Sequence, residues 1–354
     1  MCSTTALFVL NRGGSERDMQ VPFPGWVERP FGRASVSTRR YDAAVSPPIL
    51  VTGSHRSGTT WTGRMLQASP NVGYVHEPFN VHRWPNWVPV RLPHVYMYIN
   101  RENEHLYERA MEDVLGFRFP IQNIVTAPNV RQVRQAAAEF GLSLYYRLRR
   151  LRPLIKDPIA LMSAEWLAER FGAQVVMMIR HPAAFASSIK RLSWRFDFHN
   201  WRDQPMLIRD LIGPYEDQIR EYAETEHDLV DQAILMWNVT HHVIRGYAER
   251  HPDWLFVRHE DLSEEPLKGF RDMFDRLDLT WDQFAEDWIV RSSTDTSRKE
   301  VPTYLHRTVV RDSRAARWTW MDRLSPEEQR RVREGTAEVA EGFYADRDWV
   351  PPKP

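Results

Sequence analysis

The chain has 354 residues, 42% of them hydrophobic, with 47 basic and 47 acidic side chains and hence zero formal net charge. At about 100–200 residues per domain the length admits one large domain or two, and neutrality argues against a general nucleic-acid binder while leaving room for a local basic pocket. Cys2, the only cysteine, excludes an intrachain disulfide and a cysteine-built metal site. No stretch approaches the roughly 18 apolar residues of a membrane span, and the short apolar run near the N-terminus lacks a preceding basic region and makes a poor signal peptide. A soluble, cytoplasmic protein without a transmembrane segment is expected.

Residues 1–45 hold scattered Gly, Pro, Arg and Ser without periodicity and read as an arm; one domain is expected over 46–350. Ile49-Leu50-Val51-Thr52 is a short run of β-formers that meets a Gly-containing loop, and residues 62–68 then predict a helix. Val72 to His76 predicts a second strand, closed by Glu77-Pro78. Residues 80–150 break the alternation. After the irregular Trp84-Pro85-Asn86-Trp87 they predict charged helices around 104–115 and 131–150. This stretch is the candidate acceptor-binding insertion, with Trp84, Trp87, Tyr96, Tyr98 and Tyr107 as aromatic faces.

Alternation resumes after Lys156-Asp157-Pro158. Residues 164–171 are amphipathic at helical spacing and stop at Gly172; Val175-Val176-Met177-Met178-Ile179 has the length and composition of a strand buried in a parallel sheet. Pro182 opens the next helix, at a first-turn position where its missing N–H costs little. A long helix is expected over 228–250, a strand at 254–257, and a last helix capped by Ser325 with Pro326 and early acids. Repeated strand–helix units predict a three-layer α/β domain with a mostly parallel central sheet and a helical insertion.

The loop after the first strand reads Gly53-Ser54-His55-Arg56-Ser57-Gly58-Thr59-Thr60-Trp61. A Gly-rich turn between strand and helix aims backbone N–H groups at one point, where the helix N-terminus adds positive charge. Gly53 and Gly58 permit the tight backbone, Arg56 brings a forked cation, and Thr59 and Thr60 bring hydroxyls. The glycines keep the spacing of the nucleoside-triphosphate motif G-x-x-x-x-G-K-[ST], yet Thr59 stands where that motif has lysine.

Arg56-Ser57-Gly58-Thr59-Thr60-Trp61 resembles the first motif of the sulfotransferases that use 3′-phosphoadenosine 5′-phosphosulfate (PAPS). The Arg56 form is similar to carbohydrate, tyrosylprotein and many bacterial members. The resemblance implies a P-loop-like domain whose loop holds the 5′-phosphosulfate, with Trp61 near the adenine. Arg180, at the end of the strand 175–179, and Ser188, in the helix that follows, look like the second motif, which binds the 3′-phosphate. Arg311 followed by Trp318 is a weaker likeness to a third segment, because Asp312 and Ser313 replace its Lys and Gly; Arg314 and Arg317 are alternatives to Arg311.

Sulfuryl transfer is an in-line displacement that needs an aligned nucleophile, a base and stabilised charge on the departing phosphate. For the base the sequence offers Glu77, expected in extended geometry before Pro78, at a distance from Arg56 that resembles the tyrosylprotein and carbohydrate enzymes. His76 is its neighbour, and strand alternation predicts that it faces the other way. Lys156 resembles a strand-end lysine of bacterial members and could touch the acceptor or the sulfate. Trp237 and Glu260 read as structural. No metal is required. The implied reaction passes the sulfuryl group of PAPS to a hydroxyl or amine of a small-molecule, glycan or natural-product acceptor and releases adenosine 3′,5′-bisphosphate. A P-loop kinase or nucleoside triphosphatase, and a non-catalytic adenosine-bisphosphate-binding protein with no need of Glu77, are the alternatives.

Overall fold

The computed structural model describes residues 47–294 and 317–351; residues 1–45, Arg311 and Arg314 lie outside them. Five strands form the central sheet: β1 (Ile49–Gly53), β2 (Val72–His76), β3 (Arg152–Lys156), β4 (Gln174–Ile179) and β5 (Leu255–Arg258). Their order is β2-β3-β1-β4-β5 and every pairing is parallel. Every carboxyl end therefore lies along one edge of the sheet.

Between β1 and β3 run α1 (Thr59–Leu66), α2 (Glu108–Leu115), α3 (Gln122–Val125) and α4 (Val130–Leu148). Next come α5 (Ala164–Phe171), α6 (Pro182–Leu192), α7 (His199–Arg202), α8 (Pro205–Leu207), α9 (Glu216–Glu224) and α10 (Leu229–Arg250). After β5 follow α11 (His259–Glu264), α12 (Pro266–Arg276), α13 (Gln283–Thr294), α14 (Trp320–Arg323) and α15 (Pro326–Ala340).

Strands β1 to β4 are buried on both faces, and the period-two alternation of side chains splits the core into two layers. Leu50, Val75, Ile155, Val175 and Met177 join α5, α6, α10 and α15 on one face. Ile49, Val51, Val72, Leu154, Val176 and Met178 join α1, α12 and α13 on the other. Helices on both sides of a parallel sheet make the three-layer α/β domain the alternation predicted.

Local signals set the element ends. Gly172 takes φ 66 at the C-cap of α5, a left-handed conformation that favours glycine. Ser325 and Glu328 form a reciprocal capping box on α15, and Asp228 caps α10 by accepting from Val230 and Asp231. Helix α1 begins at Thr59, three residues before the expected start, directly after the left-handed Gly58 at its N-cap.

The predicted aromatic faces fare differently from one another. Trp87, Tyr96 and Tyr107 are buried: Trp87 packs edge-on to Phe119, and Tyr96 against Phe196 and Trp201. They are core residues of the segment, buried together with its Val88, Leu92, Met97, Ile99 and Phe119. Trp84 and Tyr98 alone of the five keep intermediate exposure.

Candidate active site

The loop after β1 is shaped by three left-handed residues. Gly53 has φ 140, and a Cβ there would lie 2.2 Å from the Met178 carbonyl oxygen on the neighbouring strand. Arg56 has φ 64. Gly58 has φ 92, and a Cβ would meet His259 Cδ2 at 2.3 Å. Ser57 Oγ donates to the Ser54 carbonyl at 2.6 Å and staples the loop. Helix α1 starts without a side-chain cap, so the N–H groups of Thr59, Thr60 and Trp61 have no intrahelical acceptor and converge at the loop.

Arg180 follows the last residue of β4, the strand beside β1, and its Nη1 donates to the Arg56 carbonyl at 2.7 Å. Arg56 Nε in turn donates to Ser188 Oγ of α6 at 3.0 Å. Residues widely separated in the chain thus meet at the crevice where the sheet order reverses, the place where open parallel sheets bind ligands. The Arg180 carbonyl accepts from Trp237 Nε1 at 2.9 Å, which gives the buried Trp237 a structural task. Arg317, by contrast, is tied into ion pairs with Glu264 at 2.8 Å and Asp348 at 3.4 Å. Trp61 turns its ring onto Phe270, edge-on at 5.1 Å, and its Nε1 donates to Ser292 Oγ at 3.0 Å.

Next to the loop, the ends of β2 and β3 carry Glu77 and Lys156. The register pairs His76 with Lys156. Glu77 departs from the extended geometry expected before proline: its φ is 46. A turn over residues 77–80 imposes this, with the Glu77 N–H on the Lys156 carbonyl at 2.8 Å and the Asn80 N–H on the Glu77 carbonyl at 3.2 Å. Left-handed backbone at a non-glycine residue costs on the order of 1–3 kcal/mol, and such strain concentrates at functional sites.

The turn directs the Glu77 carboxylate to Lys156, with Oε1 accepting from Nζ and Oε2 accepting from Asn80 at 2.9 Å. Lys156 is fully buried and crosses α1 at Gly63, where any Cβ would lie 3.0 Å from Lys156 Cγ. The same left-handed turn breaks strand alternation. His76 therefore does not face away from Glu77: its Nε2 lies 4.0 Å from Glu77 Oε1, and its Nδ1 is 3.3 Å from the Tyr74 hydroxyl.

The sulfotransferase family model matches residues 47–283. This chain belongs to the sulfotransferase family. Among solved structures it is similar to the sulfotransferase domain from the curacin biosynthetic pathway, at 14% identity and TM-score 0.47, over 84% of this chain and 97% of that one. It is also similar to the sulfotransferase domain from the Synechococcus PCC 7002 olefin synthase, at 16% identity and TM-score 0.45, over 90% and 100% of the two chains. A mouse sulfotransferase complexed with PAP matches at 12% identity and TM-score 0.39, over 85% and 87%. No curated protein matches the chain.

The electrostatics of the sulfotransferase crevice follow from this packing. Partial burial, then the Arg180 and Arg191 cations, push the Arg56 guanidinium down to about 10. Burial likewise lowers Arg180, against the partial relief of Glu260. A net-neutral chain therefore concentrates positive charge at one crevice, a distribution that favours a bound anion. Two polar atoms beside it fit such a ligand: the buried Arg180 Nε and Ser54 Oγ have no hydrogen-bond partner among the described residues. At Glu77, burial alone would raise the carboxyl, but Lys156, His76 and the Lys156 and Asn80 hydrogen bonds outweigh it and hold it well below the usual carboxylate range.

Several residues beside the candidate site carried no motif. Arg191 stands one helical turn beyond Ser188 on α6, a spacing that could have revealed it. Asp157 accepts the N–H groups of Phe79 at 2.7 Å and Ile159 at 2.9 Å, so it fixes the turn that carries Glu77. His55, inside the loop, lies with Nδ1 2.5 Å from the Tyr96 hydroxyl; nothing local in the sequence pairs them.

Proposed function

We propose that this sulfotransferase moves the sulfuryl group of PAPS to a hydroxyl or amine of a small-molecule, glycan or natural-product acceptor and releases adenosine 3′,5′-bisphosphate. The observation that carries the reading is the meeting of Arg56, Arg180 and Ser188 at the β1–β4 crevice, one strand from the Glu77–Lys156 pair. Residues 46–350 act as one sulfotransferase domain in this reading, with 80–150 contributing to the acceptor side.

The loop amides of Gly58, Thr59 and Thr60, with the Ser57 and Thr hydroxyls, receive the 5′-phosphosulfate, and Arg56 neutralises charge growing on the departing phosphate oxygen. Arg180 and Ser188 take the 3′-phosphate; Trp61 walls the adenine side; Arg311 is a further candidate for the nucleotide. Glu77 accepts the acceptor proton as the new bond to sulfur forms and the bond from sulfur to the phosphate oxygen breaks. Lys156 keeps that carboxylate ionised and oriented. A carboxylate of such low basicity takes the proton late, which suits the loose transition state of this class of transfer.

Thr59 at the lysine position separates this reading from a nucleoside triphosphatase. The test compares thermal stabilisation by adenosine 3′,5′-bisphosphate and by Mg-ATP, followed by transfer of labelled sulfate from PAPS across an acceptor panel. Stabilisation by the bisphosphate alone, with label on an acceptor, is expected. Stabilisation by Mg-ATP alone would overturn the assignment.

A further inference from the structure

Helix α4 (Val130–Leu148) is built the wrong way round for a surface helix. Such helices turn their large apolar residues inward. Here the buried positions are Ala136, Ser143 and Tyr146, whereas Val130, Val133, Ala137, Phe140 and Leu144 are all exposed. These five recur at three- and four-residue intervals and so form one continuous stripe along the solvent side. Val130 is 68% and Leu144 43% exposed, and the adjoining α3 and its flank add Ile121 at 56% and Val125 at 81%. An apolar surface spread over two elements in this way marks an interaction face.

Charge identifies what it meets. Arg131, Arg134 and Arg147 lie on α4 and Arg149 and Arg150 directly after it, all exposed. Among the described residues none of the five is paired with a carboxylate; the ion pair of the helix is between Glu139 and Arg83. At 3.6 residues per turn Arg134 and Arg147 fall on opposite flanks of the stripe. A second copy of the chain is a poor occupant, since the one acid on α4, Glu139, is already paired with Arg83, and pairing α4 with itself would leave its arginines without carboxylates. The stripe runs along the solvent side of one helix. A flat anionic surface fits such a stripe: the apolar side chains enter the boundary layer while the arginine stems bend their guanidinium groups to the headgroups.

We infer that α4, extended by α3, is a docking face for an anionic lipid surface. The inference is independent of the proposed reaction. Its test is co-sedimentation of the full chain with phosphatidylcholine vesicles with and without phosphatidylglycerol. Binding is expected only to the phosphatidylglycerol vesicles and is weakened by salt. Arg134→Gln with Arg147→Gln is expected to lower the partition about 25-fold, at about fivefold per arginine, and Phe140→Ser about tenfold or more. These positions are exposed, so the variants should keep the parent melting temperature and the stabilisation by adenosine 3′,5′-bisphosphate. Equal binding to neutral vesicles, or partition unchanged in the folded variants, overturns the inference. So does a dimer that Phe140→Ser dissolves, which would make a second copy the occupant. Absence of vesicle binding leaves an acidic protein as the occupant and overturns it as well.

Discussion

Lys156 is fully buried, and the Glu77 carboxylate is the group that makes its charge tolerable there. Removing one partner of such a pair strands the other, at a cost of about 3–5 kcal/mol when burial is complete. Glu77 keeps some contact with solvent and the Asn80 amide, so the loss should fall below that range for Lys156→Met. Glu77→Gln is expected to reduce turnover about 10²- to 10⁴-fold while bisphosphate binding survives. Lys156→Met should act differently: with the cation gone, burial dominates and raises the Glu77 carboxyl. The acid limb of kcat/KM then moves to higher pH, and an unmoved limb would remove Lys156 from this role. The candidate residues were legible one at a time, because Arg56, Glu77, Lys156, Arg180 and Ser188 each stand at the end of a strand or in the loop or helix after it. Their partners were not, because the contact between Glu77 and Lys156 depends on β2 lying beside β3.

At the scale of elements, the strand–loop–helix unit is the part that sequence described best. Its two glycines were read as permissive, and the structure shows what each must permit: the backbone of β4 against Gly53, and the His259 ring against Gly58. Gly58→Ala forces a side chain into φ 92 and onto that ring. A loss of more than about 1 kcal/mol of stability is expected, together with loss of the thermal shift produced by adenosine 3′,5′-bisphosphate. A Gly58→Ala protein that keeps the parent melting temperature and the full shift would show that the loop does not rely on this conformation. Helices with strong end signals, such as α15 with its Ser325 capping box, were legible almost to the residue. The turn after β2 was not. Pro78 argued for extended backbone, and the hydrogen bonds of Glu77 to β3 and of Asn80 to Glu77 overrode that preference, bringing His76 back to the site from which alternation had excluded it.

At the scale of the whole molecule, folding buries several histidines in neutral form. Burial lowers His55 to about 4, His181 to about 3 and His241 to about 3. In each case the unfolded chain binds a proton that the native state refuses. The associated stability is complete above an unfolded pKa of about 6.5 and is lost as pH falls toward the native values, at about 1.4 kcal/mol per pH unit for each group. His241 stacks on Trp237 within α10 at 3.9 Å, a place that an uncharged ring can fill. His241→Phe should therefore flatten the fall in urea-unfolding free energy between pH 6 and pH 4.5 by about 1 kcal/mol per unit; an unchanged slope would show that His241 titrates normally.

The sequence by itself determined the alternation of strands and helices, the Gly-containing loop after β1 and the strand ends at which charged residues stand, because periodicity, glycine placement and capping act over a few residues. Only the tertiary structure decided which strand ends are neighbours. That set Lys156 on Glu77 and Arg180 on Arg56, turned the predicted aromatic faces Trp87, Tyr96 and Tyr107 into core, and left the apolar stripe of α4 facing outward. Strand order and the side from which a helix is covered arise from contacts between residues far apart in the chain, and no local pattern encodes them.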